Sequence, residues 1–329
     1  MAASEISDVL VIGAGPTGLA CGIEAQRRGF KTVVVDKGCL VNSLFHYPAG
    51  MVFFTTPELL EIGDMPFSSA HQKPTREEAL EYYRKVAQHY RLDVRQYQRV
   101  ARVEGKDGDF RITALDQHER PVSYRTRKLI LATGYYDLPN IMGIPGEDLP
   151  KVTHYYREPH PYSNSDVLVI GAKNSAAISA LDLYRHGARV TLVHRGPGIS
   201  PNVKYWIKPD IENRIKNGEI KAYFNSTVKE IRTDEVLVQT PEGEVSVRND
   251  FVLALTGYHP DFDFLRSLGI RLADEKCRPL CDPQTLESNV PGIYLAGVIV
   301  AGSATSEIFI ENGRYHGRQI AGDLERRLR

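Results

Sequence analysis

Apolar positions along this chain follow a pattern that is written twice. Residues 8–38, DVLVIGAGPTGLACGIEAQRRGFKTVVVDKG, open with an unbroken apolar run and turn on glycine. They then continue through about four turns of helical periodicity and close on a second apolar run. The same order returns 158 residues later in residues 166–196, DVLVIGAKNSAAISALDLYRHGARVTLVHRG, which align with the first copy without a gap. Unbroken apolar runs predict strands buried on both faces, so each copy predicts a strand–helix–strand unit of a parallel sheet.

Outside the two copies the pattern changes. Residues 42–63, NSLFHYPAGMVFFTTPELLEIG, are rich in aromatics; Pro and Gly argue against a regular element at their start, and Thr56-Pro57-Glu58 predicts a helix with Pro at its first position. Residues 75–90 carry a capping threonine, Glu78 three positions on, and apolar residues at helical spacing. Alternation over 94–126, broken by KDGD and DQHERP, predicts an antiparallel meander. Apolar strands at 128–132 and 251–255 each run into Thr-Gly, and alternating strands around PEGE fill 221–248. A last strand at 293–296 leads into a stretch rich in small residues and a helix from about Ser306. The expected fold is α/β, with two Rossmann-like dinucleotide-binding domains of the three-layer ββα type, the second inserted into the first. The expected boundaries are 1–138 with 252–329 for the outer domain and 139–251 for the insert.

Composition narrows the function. The 329 residues carry 41 basic and 41 acidic side chains, so no global field recruits nucleic acid or an anionic membrane. No run approaches the roughly 18 apolar residues of a membrane span, and residues 1–8, MAASEISD, lack the basic and apolar regions of a leader. A cytoplasmic protein is expected. Four cysteines without a CxxC give no disulfide scaffold, and Cys277 and Cys281 find no further metal ligands nearby.

The two copies differ at the positions that read a nucleotide. The first has the full fingerprint: Gly13 for the tight turn, Gly15 for close approach of a pyrophosphate, and Gly18 for helix–strand packing. Asp36 stands at the end of the second strand as a ribose acceptor. In the second copy Gly15 becomes Lys173, Gly18 becomes Ala176, and the acid becomes His194-Arg195, a pair suited to the 2′-phosphate of NADPH. Candidate cofactor contacts in the first copy and around it are Gly13, Gly15, Pro16, Thr17, Gly18, Asp36, Lys37, Ser43, Tyr47, Phe54, Thr56, Val100, Ala132, Thr133, Gly134, Gly297, Glu307 and Ile308. Those of the second are Gly171, Lys173, Asn174, Ser175, Ala176, His194, Arg195 and Gly257.

Taken together, the two units, the Ala132-Thr133-Gly134 turn and the terminal strand–glycine–helix module resemble the two-domain flavoprotein disulfide reductases of the thioredoxin reductase type. Within that group Phe53-Phe54-x-Thr56-Pro57-Glu58, Gly171-x-Lys173-Asn174-Ser175-Ala176 and Phe309-x-Glu311-Asn312-Gly313-Arg314 are similar to the bacillithiol-disulfide reductase family. The resemblance implies FAD in the first site, NADPH in the second, a homodimer, rotation between domains, and a low-molecular-weight disulfide as acceptor. It also implies backbone contacts from Glu307 and Ile308 at the pyrimidine edge of the flavin, where the helix from about Ser306 would point its N-terminus. Two departures keep other acceptors open. The redox CxxC of thioredoxin reductases is replaced by His154-Tyr155-Tyr156-Arg157, and the cysteine that bacillithiol-type relatives carry in the first glycine motif is Thr17. A ferredoxin, flavodoxin or quinone reductase, or a redox sensor without catalysis, would need no protein thiol. Cys21, one helical turn beyond Thr17, reads as packing rather than a redox group.

Overall fold

The computed structural model describes residues 6–328, so most of the N-terminal stretch 1–8 lies outside the described residues. The chain divides into two units: residues 6–46, 50–138 and 258–328 form the first, and residues 47–49 with 139–257 the second.

In the first unit, Ser7–Ile12 lies at the centre of a seven-stranded sheet. It pairs in parallel with Thr32–Val35 on one side, Leu10 opposite Val33, and with Pro121–Leu131 on the other, Leu10 opposite Leu129. Asp93–Arg95 extends the sheet beyond Thr32–Val35, and Ile293–Leu295 pairs in parallel with Pro121–Leu131. The long strand Pro121–Leu131 serves two layers. Its first half pairs antiparallel with Asp109–Leu115, which pairs antiparallel with Arg99–Lys106; its second half joins the parallel sheet. Val9, Leu10 and Val11 are fully buried, as a strand covered on both faces requires.

The second unit repeats the plan with five parallel strands in the order Lys221–Tyr223, Arg189–Val193, Asp166–Ile170, Phe251–Ala254 and Val152–Thr153. A separate three-stranded antiparallel sheet, Thr227–Ile231, Glu235–Thr240 and Gly243–Arg248, packs on it through Val228, Val236, Val238 and Val247.

Three expectations change. The return crossing falls at Gly257–Tyr258, not at residue 252, because Phe251–Ala254 pairs with Asp166–Ile170 and so belongs to the insert. Residues 42–45 form one helical turn, Asn42–Phe45, ahead of the Pro and Gly that break the segment. No helix starts near Ser306: a 3-10 turn, Gly297–Ala301, is followed by a short helix, Ile310–Gly313, and then by His316–Leu328. Asn312 sets that start, its Oδ1 accepting from the Phe309 N–H at 2.7 Å and its Nδ2 donating to the Glu307 carbonyl at 3.0 Å.

Candidate functional site

The first site is built on the helix Pro16–Arg27, which starts from Gly15 with Pro16 in its first turn and no side-chain cap, leaving its leading N–H groups for an anion. The three glycines do different work. Gly13 has φ +112°, and a Cβ there would run into the Ala132 carbonyl; a Cβ on Gly18 would overlap the Gly13 carbonyl. Gly15 is the opposite case, since a Cβ there meets nothing within 4 Å. Two glycines are thus consumed by packing, and the third keeps its face clear.

Asp36 reaches back to this turn. Its Oδ2 accepts from the Ala14 N–H at 2.6 Å and its Oδ1 from the Gly38 N–H at 2.8 Å. Burial pushes its pKa up, and the two N–H donors oppose that rise. Each oxygen keeps a second lone pair that a ribose hydroxyl can use. Lys37 is ion-paired with Asp137 at 3.0 Å. Ser43 faces the Thr133-Gly134 turn, its Oγ lying 3.9 Å from where a Gly134 Cβ would stand. The Thr17 side chain lies between Gly297 and Gly313, about 3.2 Å and 3.1 Å from the Cβ positions those glycines leave empty.

The remaining candidates for the first site sit in varied surroundings. Val100 packs its side chain into the core of the first sheet, and Tyr47 belongs to the second unit. Phe54 is half-buried, and Thr56 caps Pro57–Leu60 without a side-chain bond to its N–H groups. The Glu307 carboxylate is held by Arg278 at 2.8 Å and 2.9 Å and by Lys276 at 3.3 Å, so its side chain is spent on an ion-pair cluster. Ile308 approaches Gly313.

The second site begins at Gly171, where φ is +127° and a Cβ would stand 2.6 Å from the Leu255 carbonyl. Lys173 starts the helix Asn174–Arg185 with an exposed side chain, Ser175 is exposed, and Ala176 is buried. The Asn174 side chain makes two bonds to the loop that follows. Its Nδ2 donates to the Asn202 carbonyl at 3.2 Å and its Oδ1 accepts from the Lys204 N–H at 3.0 Å, tying the following loop to the helix start. Burial lowers the His194 pKa first, and the charges of Arg195 and Lys173 lower it further. A neutral imidazole therefore sits in a positive field that would receive a phosphate. Gly257, at φ +93°, is held by Asn140, whose N–H donates to the Gly257 carbonyl at 2.9 Å and whose carbonyl accepts from the Thr256 hydroxyl at 2.6 Å. Asn140 carried no signal in the sequence, because its partner Thr256 lies 116 positions away and Gly257 follows it.

Cys21, Cys39 and Cys281 are poor nucleophiles. Cys21 is buried, and its thiol is pushed up to about 12 by burial and then by Glu24. Burial also raises Cys39 and Cys281. At the position of the missing CxxC, the His154 ring contacts the Ala254 carbonyl at 3.1 Å and buried Tyr156 donates to Asp182 at 2.6 Å, so the stretch is part of the second unit's framework.

Two dinucleotide units with opposite charge at the ribose-reading end define a flavin- and pyridine-nucleotide-dependent oxidoreductase. Residues 10–297 match the pyridine nucleotide-disulphide oxidoreductase family, and the chain belongs to it. It is 44% identical to the bacilliredoxin reductase Bdr of Bacillus subtilis (strain 168) over 97% of each chain. Among solved structures it is similar to the bacillithiol disulfide reductase Bdr of Bacillus cereus, at 42% identity and TM-score 0.96 over 98% of this chain and 100% of that one. The corresponding protein of Staphylococcus aureus gives 39% identity and TM-score 0.94 over 99% and 100%. The chain is an NADPH-dependent flavin oxidoreductase whose cofactors are FAD and NADPH. Among the described residues no helix is long and apolar enough to cross a membrane.

Proposed function

We propose that FAD occupies the first unit and NADPH the second, and that the electrons leave the flavin for a low-molecular-weight disulfide of the bacillithiol type. The observation that carries the placement is the contrast between Asp36, half-buried and held on the Gly13 turn, and the Lys173, His194 and Arg195 group of the second unit. The likeness to Bdr proteins supports the acceptor. Bound FAD would supply the two-electron relay, with the protein contributing position and electrostatics. One NADPH and one proton convert one disulfide to two thiols. Since burial pushes the Cys21 thiol far up and the first glycine motif carries Thr17 and no cysteine, the disulfide is reduced without an enzyme thiol. The chain works as a cytoplasmic homodimer, a state that light scattering of the holoprotein checks.

The test is anaerobic reoxidation of the NADPH-reduced protein. Bacillithiol disulfide should reoxidise the flavin at the same rate in the wild type and in Cys21→Ser. Reoxidation by ferredoxin or quinone alone would move the assignment to those acceptors, and loss of the reaction in Cys21→Ser would restore an enzyme thiol.

A further inference from the structure

The ladder of the strand Ile293–Leu295 ends when the Ala296 N–H donates to the Leu131 carbonyl at 2.8 Å. The chain then turns away at Gly297, with φ +76°, into the 3-10 turn Gly297–Ala301. Gly297 is buried, so its N–H has left the sheet and still needs an acceptor. It finds one 19 residues away: the Gly297 N–H donates to Nδ1 of His316 at 2.9 Å. Because the donor is a backbone amide, Nδ1 must carry the lone pair and Nε2 the proton. Burial lowers the His316 pKa. The residue also opens the helix His316–Leu328, whose N-terminal N–H groups disfavour an imidazolium. The ring is therefore neutral and able to accept.

On its other side the same glycine is pressed by Thr17, from the head of the helix that follows the first glycine motif. Residue 298 is valine and has no polar side chain to offer a cofactor. What this turn presents to FAD is its backbone, whose placement depends on Thr17 and His316. We propose that His316 is a positioning residue of the flavin site, fixing the Gly297 turn through the hydrogen bond that its Nδ1 accepts. The inference rests on the reading that FAD occupies the first unit.

The experiment titrates FAD into apoprotein and follows the quenching of flavin fluorescence, with thermal unfolding of each apoprotein as the control for folding. His316→Phe leaves the amide unpaired and should weaken FAD binding about tenfold, the scale of one unsatisfied buried donor. His316→Asn places an amide oxygen near the Nδ1 position and should return the affinity to within about twofold of wild type, whereas His316→Gln, whose amide reaches toward Nε2, should not. Wild-type affinity in the Phe variant, or Asn and Gln variants of equal affinity, would overturn the role. If the Phe variant does not fold, the contrast between Asn and Gln decides. Failure of the wild-type apoprotein to take up FAD would instead overturn the placement of FAD itself.

Discussion

At the scale of single residues, the three fingerprint glycines separate packing from binding. A Gly15→Ala methyl meets no protein atom and lies where a pyrophosphate would approach, so apoprotein stability should stay near wild type while FAD affinity falls. Gly18→Ala places its methyl on the Gly13 carbonyl, so here the apoprotein itself should melt several degrees lower. Thermal unfolding and FAD titration of the two variants make the comparison, and a Gly18→Ala protein as stable as wild type would refute the packing role. In the second unit we propose that the charge at the ribose end sets nucleotide choice. Arg195→Ala should raise KM for NADPH by roughly ten- to a hundredfold, as expected for a charge-assisted contact, and leave KM for NADH nearly unchanged. Equal effects on the two nucleotides would remove the 2′-phosphate assignment.

At the scale of elements, the helix Arg76–His89 shows how a local signal becomes a pH dependence. Glu78 accepts from the Thr75 N–H at 2.7 Å and from the Ser69 hydroxyl at 2.8 Å, and these bonds, the Thr75 N–H first, hold its carboxyl at about 2 instead of 4.5. A depressed folded-state pKa contributes stability above the unfolded value, lost as pH falls through the folded one. The stability difference between wild type and Glu78→Gln should therefore be full at pH 7 and shrink from about pH 4.5 toward pH 2. Denaturant melts across that range measure it, and a difference independent of pH would contradict it. This capping box, the doubled strand–helix–strand pattern and the Thr56-Pro57 helix start were legible because each is written within a few consecutive residues. What the sequence hid was set by distant partners. Phe251–Ala254 looks the same in either unit until Phe251 is seen opposite Val167. The C-terminal helix starts late because Asn312 caps the short helix from within, and His316 has no pattern of its own because Gly297 lies far back in the chain. Asn174 matched a nucleotide motif, yet its side chain is engaged by the loop at Asn202 and Lys204.

At the scale of the whole molecule, the insert has cores of its own, one beneath Asn174–Arg185 and one beneath the three-stranded sheet. Residues 139–257 expressed alone should fold cooperatively and bind NADPH without FAD. The chain's single tryptophan, Trp206, lies in this unit and reports binding by fluorescence. An unfolded fragment would show that the insert depends on its host. The bonds at the insert's ends carry a further consequence. The Asn140 N–H donates to the Gly257 carbonyl, while in the outer unit the His259 N–H donates to the Leu138 carbonyl at 3.0 Å. Each unit thus finds its two chain ends already side by side. For an outer sheet that must close around residues 139–257 as slack chain, loop entropy would cost roughly 3 kcal/mol more than for a loop of about four residues. An insert that folds first removes most of that difference. Its sequence is complete at residue 257, before the ribosome has made the last strand of the outer sheet. Order of synthesis and order of closure then coincide, and the outer domain assembles across a gap that its guest has already drawn shut.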